Sequence, residues 1–299
     1  MTLNSDKSYF TYASGKKYLS LAFSLARSYK HHNPIEIPFF IVSNKDFSLP
    51  WDLKWVKKRI VPESLAGQGL EFKLHLLEIS PTYKSIFIDA DSLIYSNINF
   101  IFDEFGETPS VIGTKVTNDV WVDEDIASTM NEFNLDYMIR YCGAFYYLIK
   151  NRLGEEIFGY AKTLYHSGRP FQRIRNTVNE EPVLSIALSK HKVVPVVDNG
   201  WIWGDLTHFV YEDQLNIFKS PPILYNTPNS SIYKFWLPDG KYKPLILHVG
   251  SGNFNKKPWL FDSLRLKLSQ KYLLPIPLSD WLVKSIVIPA YQLARKLLR

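Results

Sequence analysis

Residues Ile86-Phe87-Ile88-Asp89-Ala90-Asp91-Ser92-Leu93-Ile94 form an apolar run that stops on two carboxylates one residue apart. A continuous β-branched and aromatic run is the mark of a parallel strand buried on both faces, and ligands collect just beyond the carboxyl ends of such strands. This one stretch therefore commits the chain to an α/β sheet with a polar site at one edge. Two hard oxygen ligands there can hold Mg²⁺ or Mn²⁺ against the phosphates of a nucleotide. The plainer reading is a strand-end Asp that closes a turn, with Asp91 solvated.

The flanking residues extend the α/β pattern. Residues 8–13 read as a first strand, followed by a turn at Ser14-Gly15 and a helix over about 16–30. Tyr18, Leu21, Ala22, Leu25 and Tyr29 share one face of that helix. Residues 37–42 form a second strand, 55–60 a third, and a helix over about 68–79 leads into the strand that ends at Asp89. Further strands are expected at 110–113, 143–149, 193–197 and 244–249, with helices at 152–165 and 182–190. This βαβ rhythm predicts a mixed, mostly parallel sheet flanked by helices, with right-handed crossovers.

With 299 residues and 46% hydrophobic content, the chain can bury one large core. The single Cys142 excludes an intrachain disulfide framework and a cysteine-built zinc site. Together with a polar N-terminus, it points to a reducing, cytoplasmic setting. Charge divides the chain. Beyond residue 255, nine Lys or Arg stand against two Asp, so residues 256–299 carry +7 and residues 1–255 carry −1 of the net +6. A nucleic-acid enzyme would spread its positive charge over the body. The expected organisation is a catalytic domain over 1–262 and a basic, amphipathic helical tail over 263–299.

Three groups of residues carry a resemblance. They are Phe72-Lys73-Leu74-His75; Tyr83-Lys84-Ser85 leading into the Asp89-Ala90-Asp91 strand end and on to Asn97-Ile98; and His248-Val249-Gly250 with Lys257-Pro258-Trp259. In these, the chain resembles the nucleotide-sugar glycosyltransferases of family 8, which include glycogenin and the bacterial lipopolysaccharide galactosyl- and glucosyltransferases. The match runs from about 8 to 262 and is weakest in the middle third. It implies a GT-A (Rossmann-like) fold and transfer of a hexose from a UDP-sugar to a saccharide or lipid-linked acceptor, with retention of configuration. It also implies Asp89, Asp91 and His248 as ligands of Mn²⁺ or Mg²⁺, the imidazole favouring Mn²⁺. Lys73 and Lys257 become phosphate contacts, Ala90 and Gly250, Ser251 and Gly252 close backbone approaches to the donor, and Tyr12, Ser14 and Tyr18 a base pocket. For Tyr18, core packing is the alternative.

The chain also departs from the pattern. The stretch between His248 and Lys257 is longer than in the family. The family's Asn-x-Gly corresponds to Tyr141-Cys142-Gly143, which lacks an amide expected to face the sugar. Its Asp-Gln pair corresponds to Glu180-Glu181, read either as carboxylates beside the reacting sugar, with Glu181 foremost, or as helix-start acids favoured by the dipole. Rival readings are weaker. A haloacid dehalogenase-type phosphatase carries its D-x-D on the first strand, and a sugar nucleotidyltransferase opens with a glycine-rich basic loop absent here. A non-catalytic descendant that binds nucleotide-sugar or glycan is the alternative from a different class.

Other features stay open at this level. Asp119, Trp121, Asp123 and Asp125 read as an acceptor groove or a solvated acidic loop, and Trp201-Ile202-Trp203-Gly204-Asp205 has the same ambiguity. His31-His32 reads as a polar helix end. The tail is expected to hold a final helix capped by Ser279, starting at Asp280 and broken or kinked at Pro289. It would lie either on an anionic membrane surface, at the inner face of the membrane, or on the enzyme's own body.

Overall fold

The computed structural model describes residues 6–67, 69–174, 176–205, 210–211, 215–219, 221–229, 237–250 and 257–297. Strand β1 (Lys7–Tyr12) is followed by helix α1 (Gly15–His32), β2 (Phe39–Ser43), β3 (Lys57–Ile60) and β4 (Lys84–Ile88). These strands make a sheet in the order β4-β1-β2-β3, all parallel. Residues Phe145–Ile149 add an antiparallel edge beside β4. Alternation along the strands sorts the side chains into two cores. Tyr9, Phe39, Ile41, Ile86 and Ile88 pack to one side, against Leu21, Ala22, Leu25 and Tyr29 of α1. Phe10, Val42 and Phe87 pack to the other, against Ile157, Phe158 and Ala161 of helix Arg152–Tyr165 and Val183, Ile186 and Ala187 of helix Glu180–Lys190.

Because β1 is flanked by β2 on one side and β4 on the other, the chain reverses its winding between β1 and β4. A crevice opens there, beyond their carboxyl ends. A second sheet closes its far wall. Strand Ser92–Ile94 runs antiparallel to Ile246–His248, which pairs in parallel with Trp203–Asp205. Its register sets His248 opposite both Ser92 and Asp205. A third small sheet joins Val196–Val197, Ile112–Val116 and Met138–Tyr141. Of these, Met138–Tyr141 is a strand the sequence pattern does not announce.

Element limits differ from expectation in explicable ways. The helix expected over 68–79 is a 3₁₀ stretch, Glu71–His75, followed by one α-turn, Leu76–Ile79. Gly67 and Gly69 both take φ of +57°, left-handed backbone that forbids helix there. The final helix begins at Ile276, not at Asp280, with Pro277 in its first turn. Ser279 is buried inside it, where its hydroxyl donates to the Leu274 carbonyl, and so is not the cap. Pro289 does not end the helix. The preceding turn, Val283–Val287, widens to π geometry, which takes up the missing N–H, and the helix continues as Ile288–Leu297. One face of this helix docks on the body: Val283 is fully buried, Tyr291 packs edge-on against Phe261 at 5.7 Å, and Asp280 accepts from Arg265 at 2.9 Å.

Candidate active site

At the β1–β4 crevice lies a cavity of about 470 Å³, lined among others by Tyr12, Ser14 and Tyr18, by Asp89, Ala90 and Asp91, and by Lys73, Glu180, Glu181 and His248. The turn after β4 is built by its backbone. The Asp89 N–H donates to the Ala144 carbonyl at 2.9 Å, and the Ser92 N–H donates to the Asp89 carbonyl at 3.1 Å. The Val249 N–H, just beyond His248, donates to the Asp91 carbonyl at 3.2 Å. Backbone bonds thus tie the two strand ends together. Ligand atoms of Asp89, Asp91 and His248 all lie within 4.8 Å of one another. Two carboxylates and an imidazole at this spacing match a divalent ion of intermediate hardness such as Mn²⁺.

His248 Nε2 stands 3.2 Å from Asp91 Oδ1 and Nδ1 2.9 Å from Asp205 Oδ2. Burial alone would lower the imidazole's pKa, but the two carboxylates outweigh it and raise it well above the ordinary histidine value. Asp91 shows the converse. Burial raises its pKa, and His248 with Lys73 pulls it below the usual aspartate value. Lys73, 5% exposed, places Nζ 3.0 Å from Glu180 and 3.2 Å from Asp89. Burial opposes its charge, yet these carboxylates hold the ammonium firmly protonated. The cavity wall thus carries a fixed positive charge beside the strand-end acids.

Glu180 and Glu181 stand in the first turn of their helix, as the helix-start reading expects, and both line the cavity. Asn179 caps the helix by accepting from the Glu181 N–H at 3.1 Å. Glu181 Oε1 in turn accepts from the Gly143 N–H at 2.7 Å. Burial and the neighbouring Glu180 push the Glu181 carboxyl up to about 7. Glu180 is raised as well, by burial against the pull of Lys73. Gly143 is dictated by space: a Cβ there would meet Glu180 Oε1 at 2.4 Å and Lys73 Nζ at 3.3 Å. Tyr141, at the place where the resemblance leads one to expect an amide, is buried and does not line the cavity. Cys142 does line it, and burial pushes its thiol up to about 12.

At the opposite end, the Tyr12 ring stacks on Phe72 at 4.5 Å. Tyr18 continues the apolar stripe of α1 beyond the core and is 40% exposed at the cavity, which disfavours its reading as core packing. Gly250 takes φ of +75° directly after the His248 strand. Ser251 and Gly252 lie outside the described residues, as does the side chain of Lys257, whose backbone begins helix Lys257–Leu266.

Other sequence candidates lie elsewhere. Asp125 caps helix Ile126–Phe133, Asp119 pairs with Arg140 at 2.9 Å, and Trp121 packs on Tyr141. His31 and His32 do end α1 as polar residues, but they are half-buried there. Their rings meet edge to face, His31 packs on Phe218, and His32 bonds the Ile217 carbonyl, with burial lowering its pKa to about 4. Asp205, which the sequence leaves inside an ambiguous Trp-Ile-Trp-Gly-Asp stretch, is brought by the structure against His248 Nδ1. Its one signal is the alternation in Trp203-Gly204-Asp205, which puts the indole and the carboxylate on the same strand face.

No family model matches the sequence, and no curated protein matches it. Solved structures do share its fold. The apo WbbM bifunctional glycosyltransferase aligns with a TM-score of 0.56 and 12% identity, over 94% of this chain and 52% of its own. The galactosyltransferase LgtC in complex with donor and acceptor sugar analogs aligns at 0.56 and 13%, over 92% and 98%. An active-site mutant of LgtC aligns at 0.56 and 12%, over 87% and 94%. The chain therefore spans about half the length of WbbM and nearly all of LgtC. Over most of its residues this chain has the GT-A fold of these glycosyltransferases, a mixed and mostly parallel sheet with its crevice at the strand reversal.

Proposed function

We propose that the chain is a metal-dependent glycosyltransferase that moves a hexose from a UDP-sugar to a saccharide or lipid-linked acceptor, with retention of configuration. The observation that carries this reading is the convergence of Asp89, Asp91 and His248 within 4.8 Å at the crevice of a GT-A fold. Lys73 and the paired glutamates stand on the adjoining wall. When bound there, Mn²⁺ supplies Lewis-acid stabilisation of the departing diphosphate. The Lys73 ammonium adds a preorganised positive charge beside it. Tyr12, Ser14 and Tyr18 form the pocket for the base. Glu181, held by the Gly143 N–H, is the carboxylate best placed beside the sugar, where it stabilises positive charge at the anomeric carbon. The acceptor hydroxyl attacks from the face the diphosphate leaves, with the departing phosphate taking its proton.

The test is calorimetric titration of UDP and UDP-hexose, with and without Mn²⁺, on the wild type and Asp91→Ala. Metal-dependent binding that the variant loses supports the donor site. Tight binding indifferent to metal and variant means the carboxylates are not ligands. No binding to a folded sample sinks the uridine donor.

We further propose that residues 1–262 are the catalytic domain and that the tail, 263–299, holds the enzyme on the cytoplasmic face of an anionic membrane. Opposite its docked face, the last helix exposes Leu278, Trp281, Ile286, Leu293 and Leu297. The two acids beyond residue 255, Asp262 and Asp280, both turn inward to Arg265. Lys284, Arg295 and Lys296 remain exposed. An apolar stripe with outward positive charge suits an interface of acidic headgroups. No helix among the described residues is long and apolar enough to cross a membrane.

A further inference from the structure

The two sides of the His248 ring are held by different partners. Nε2 faces Asp91 in the cavity, whereas Nδ1 faces Asp205, a residue 3% exposed that does not line the cavity. The parallel pairing sets Asp205 opposite His248, and the Asp205 carboxylate reaches Nδ1 at 2.9 Å. Two residues earlier on the same face, the buried Trp203 indole stacks on the imidazole, with centroids 5.9 Å apart and planes at 28°. Rotating the ring by half a turn would exchange Nδ1 for a carbon, break the bond to Asp205 and swing Nε2 away from Asp91.

We infer that Asp205 is a positioning residue of the proposed metal centre, holding the His248 ring with its Nδ1 proton so that the Nε2 lone pair faces the ion between Asp89 and Asp91. Trp203 braces the ring from its face. A carboxylate on the far nitrogen selects the tautomer whose near nitrogen is free to coordinate, and it raises that nitrogen's basicity. The inference rests on the metal-centre reading above and extends it to a residue outside the cavity. A competing arrangement exists, because Cys142, Asp205 and His248 also place ligand atoms within 4.8 Å of one another. An ion held on that side would use Nδ1 and the thiol. The two arrangements differ in whether Cys142 matters.

The experiment is Mn²⁺ titration of the full chain, followed by the free-ion EPR signal, on wild type, Asp205→Ala, Asp205→Asn and Cys142→Ser. UDP binding without metal and the melting temperature are recorded alongside. Asp205→Ala is expected to weaken Mn²⁺ binding roughly 10–100-fold. Asp205→Asn keeps the size and still accepts from Nδ1–H, so it should lose less. Cys142→Ser should bind Mn²⁺ as the wild type does, and metal-free UDP binding should be unchanged throughout. The inference is overturned if both Asp205 variants, folded, bind Mn²⁺ as tightly as wild type. It is overturned equally if metal-free UDP binding falls by the same factor, or if Cys142→Ser loses as much as Asp205→Ala. A wild type that binds no Mn²⁺ sinks the metal-centre reading itself, a result distinct from the other three.

Discussion

Charge compensation governs the site at the residue scale. Four carboxylates (Asp89, Asp91, Glu180 and Asp205) share two cations, Lys73 and His248, through contacts of 2.9–3.2 Å. Among the described residues, Glu181 has no such cation in direct contact and accepts from a backbone N–H, and burial and Glu180 move its carboxyl up to about 7. The sign follows. With its folded pKa above the ordinary glutamate value, Glu181 favours folding at pH below about 4.5, and this contribution is lost as pH rises through about 7. Glu181→Gln should therefore gain in melting temperature relative to wild type between pH 5 and pH 8, and an equal offset at both would refute the assignment. Gly143→Ala forces its methyl against Glu180 and should cost about 1–3 kcal/mol in urea denaturation. Asp89 and Asp91 were legible because the two carboxylates sit one residue apart at one strand end. Asp205 was not, because its role depends on which residue the register sets opposite His248.

Local rules explain most elements, and tertiary packing explains the rest. Helix Arg152–Tyr165 falls where the sequence expects it, with Asn151 accepting from the Gly154 N–H as its cap. The Asn179 cap has a second duty, since the turn it closes aims both glutamates at the cavity. Asn179→Ala should lower stability by about 1 kcal/mol. It should also weaken UDP-hexose binding more than UDP binding, in paired calorimetric titrations. Equal weakening of both would detach Glu181 from the sugar. Strand Met138–Tyr141 escaped notice because its four residues are all buried and one is Arg140, so neither alternation nor a pure apolar run marks it. The expected helix over 68–79 failed at Gly67 and Gly69, where backbone conformation overrode side-chain periodicity.

For the whole molecule, the uneven charge acquires a geometry. The body is near neutral, and the tail's outward charge stands on the side of the last helix that the body does not cover. The chain should co-sediment with vesicles of acidic phospholipid, less so as salt rises. At about 1 kcal/mol per basic residue, replacing Lys284, Arg295 and Lys296 by Gln should weaken that binding roughly 100-fold. UDP binding in solution should be untouched. Indifference of the triple variant would leave the exposed stripe for some other partner.

By itself the sequence determined what is local along the chain: the βαβ order, the carboxylates closing a buried strand, and an amphipathic basic end. These follow from hydrophobic period and strand-end chemistry, which neighbouring residues encode directly. Tertiary structure decided the rest: that Asp205 and Trp203 brace His248, that Lys73 spans Asp89 and Glu180, and that the tail covers one face and leaves the other bare. Each is a contact between segments far apart in the chain, set by strand register and helix docking. Those depend on packing the whole core together, and no single segment carries them.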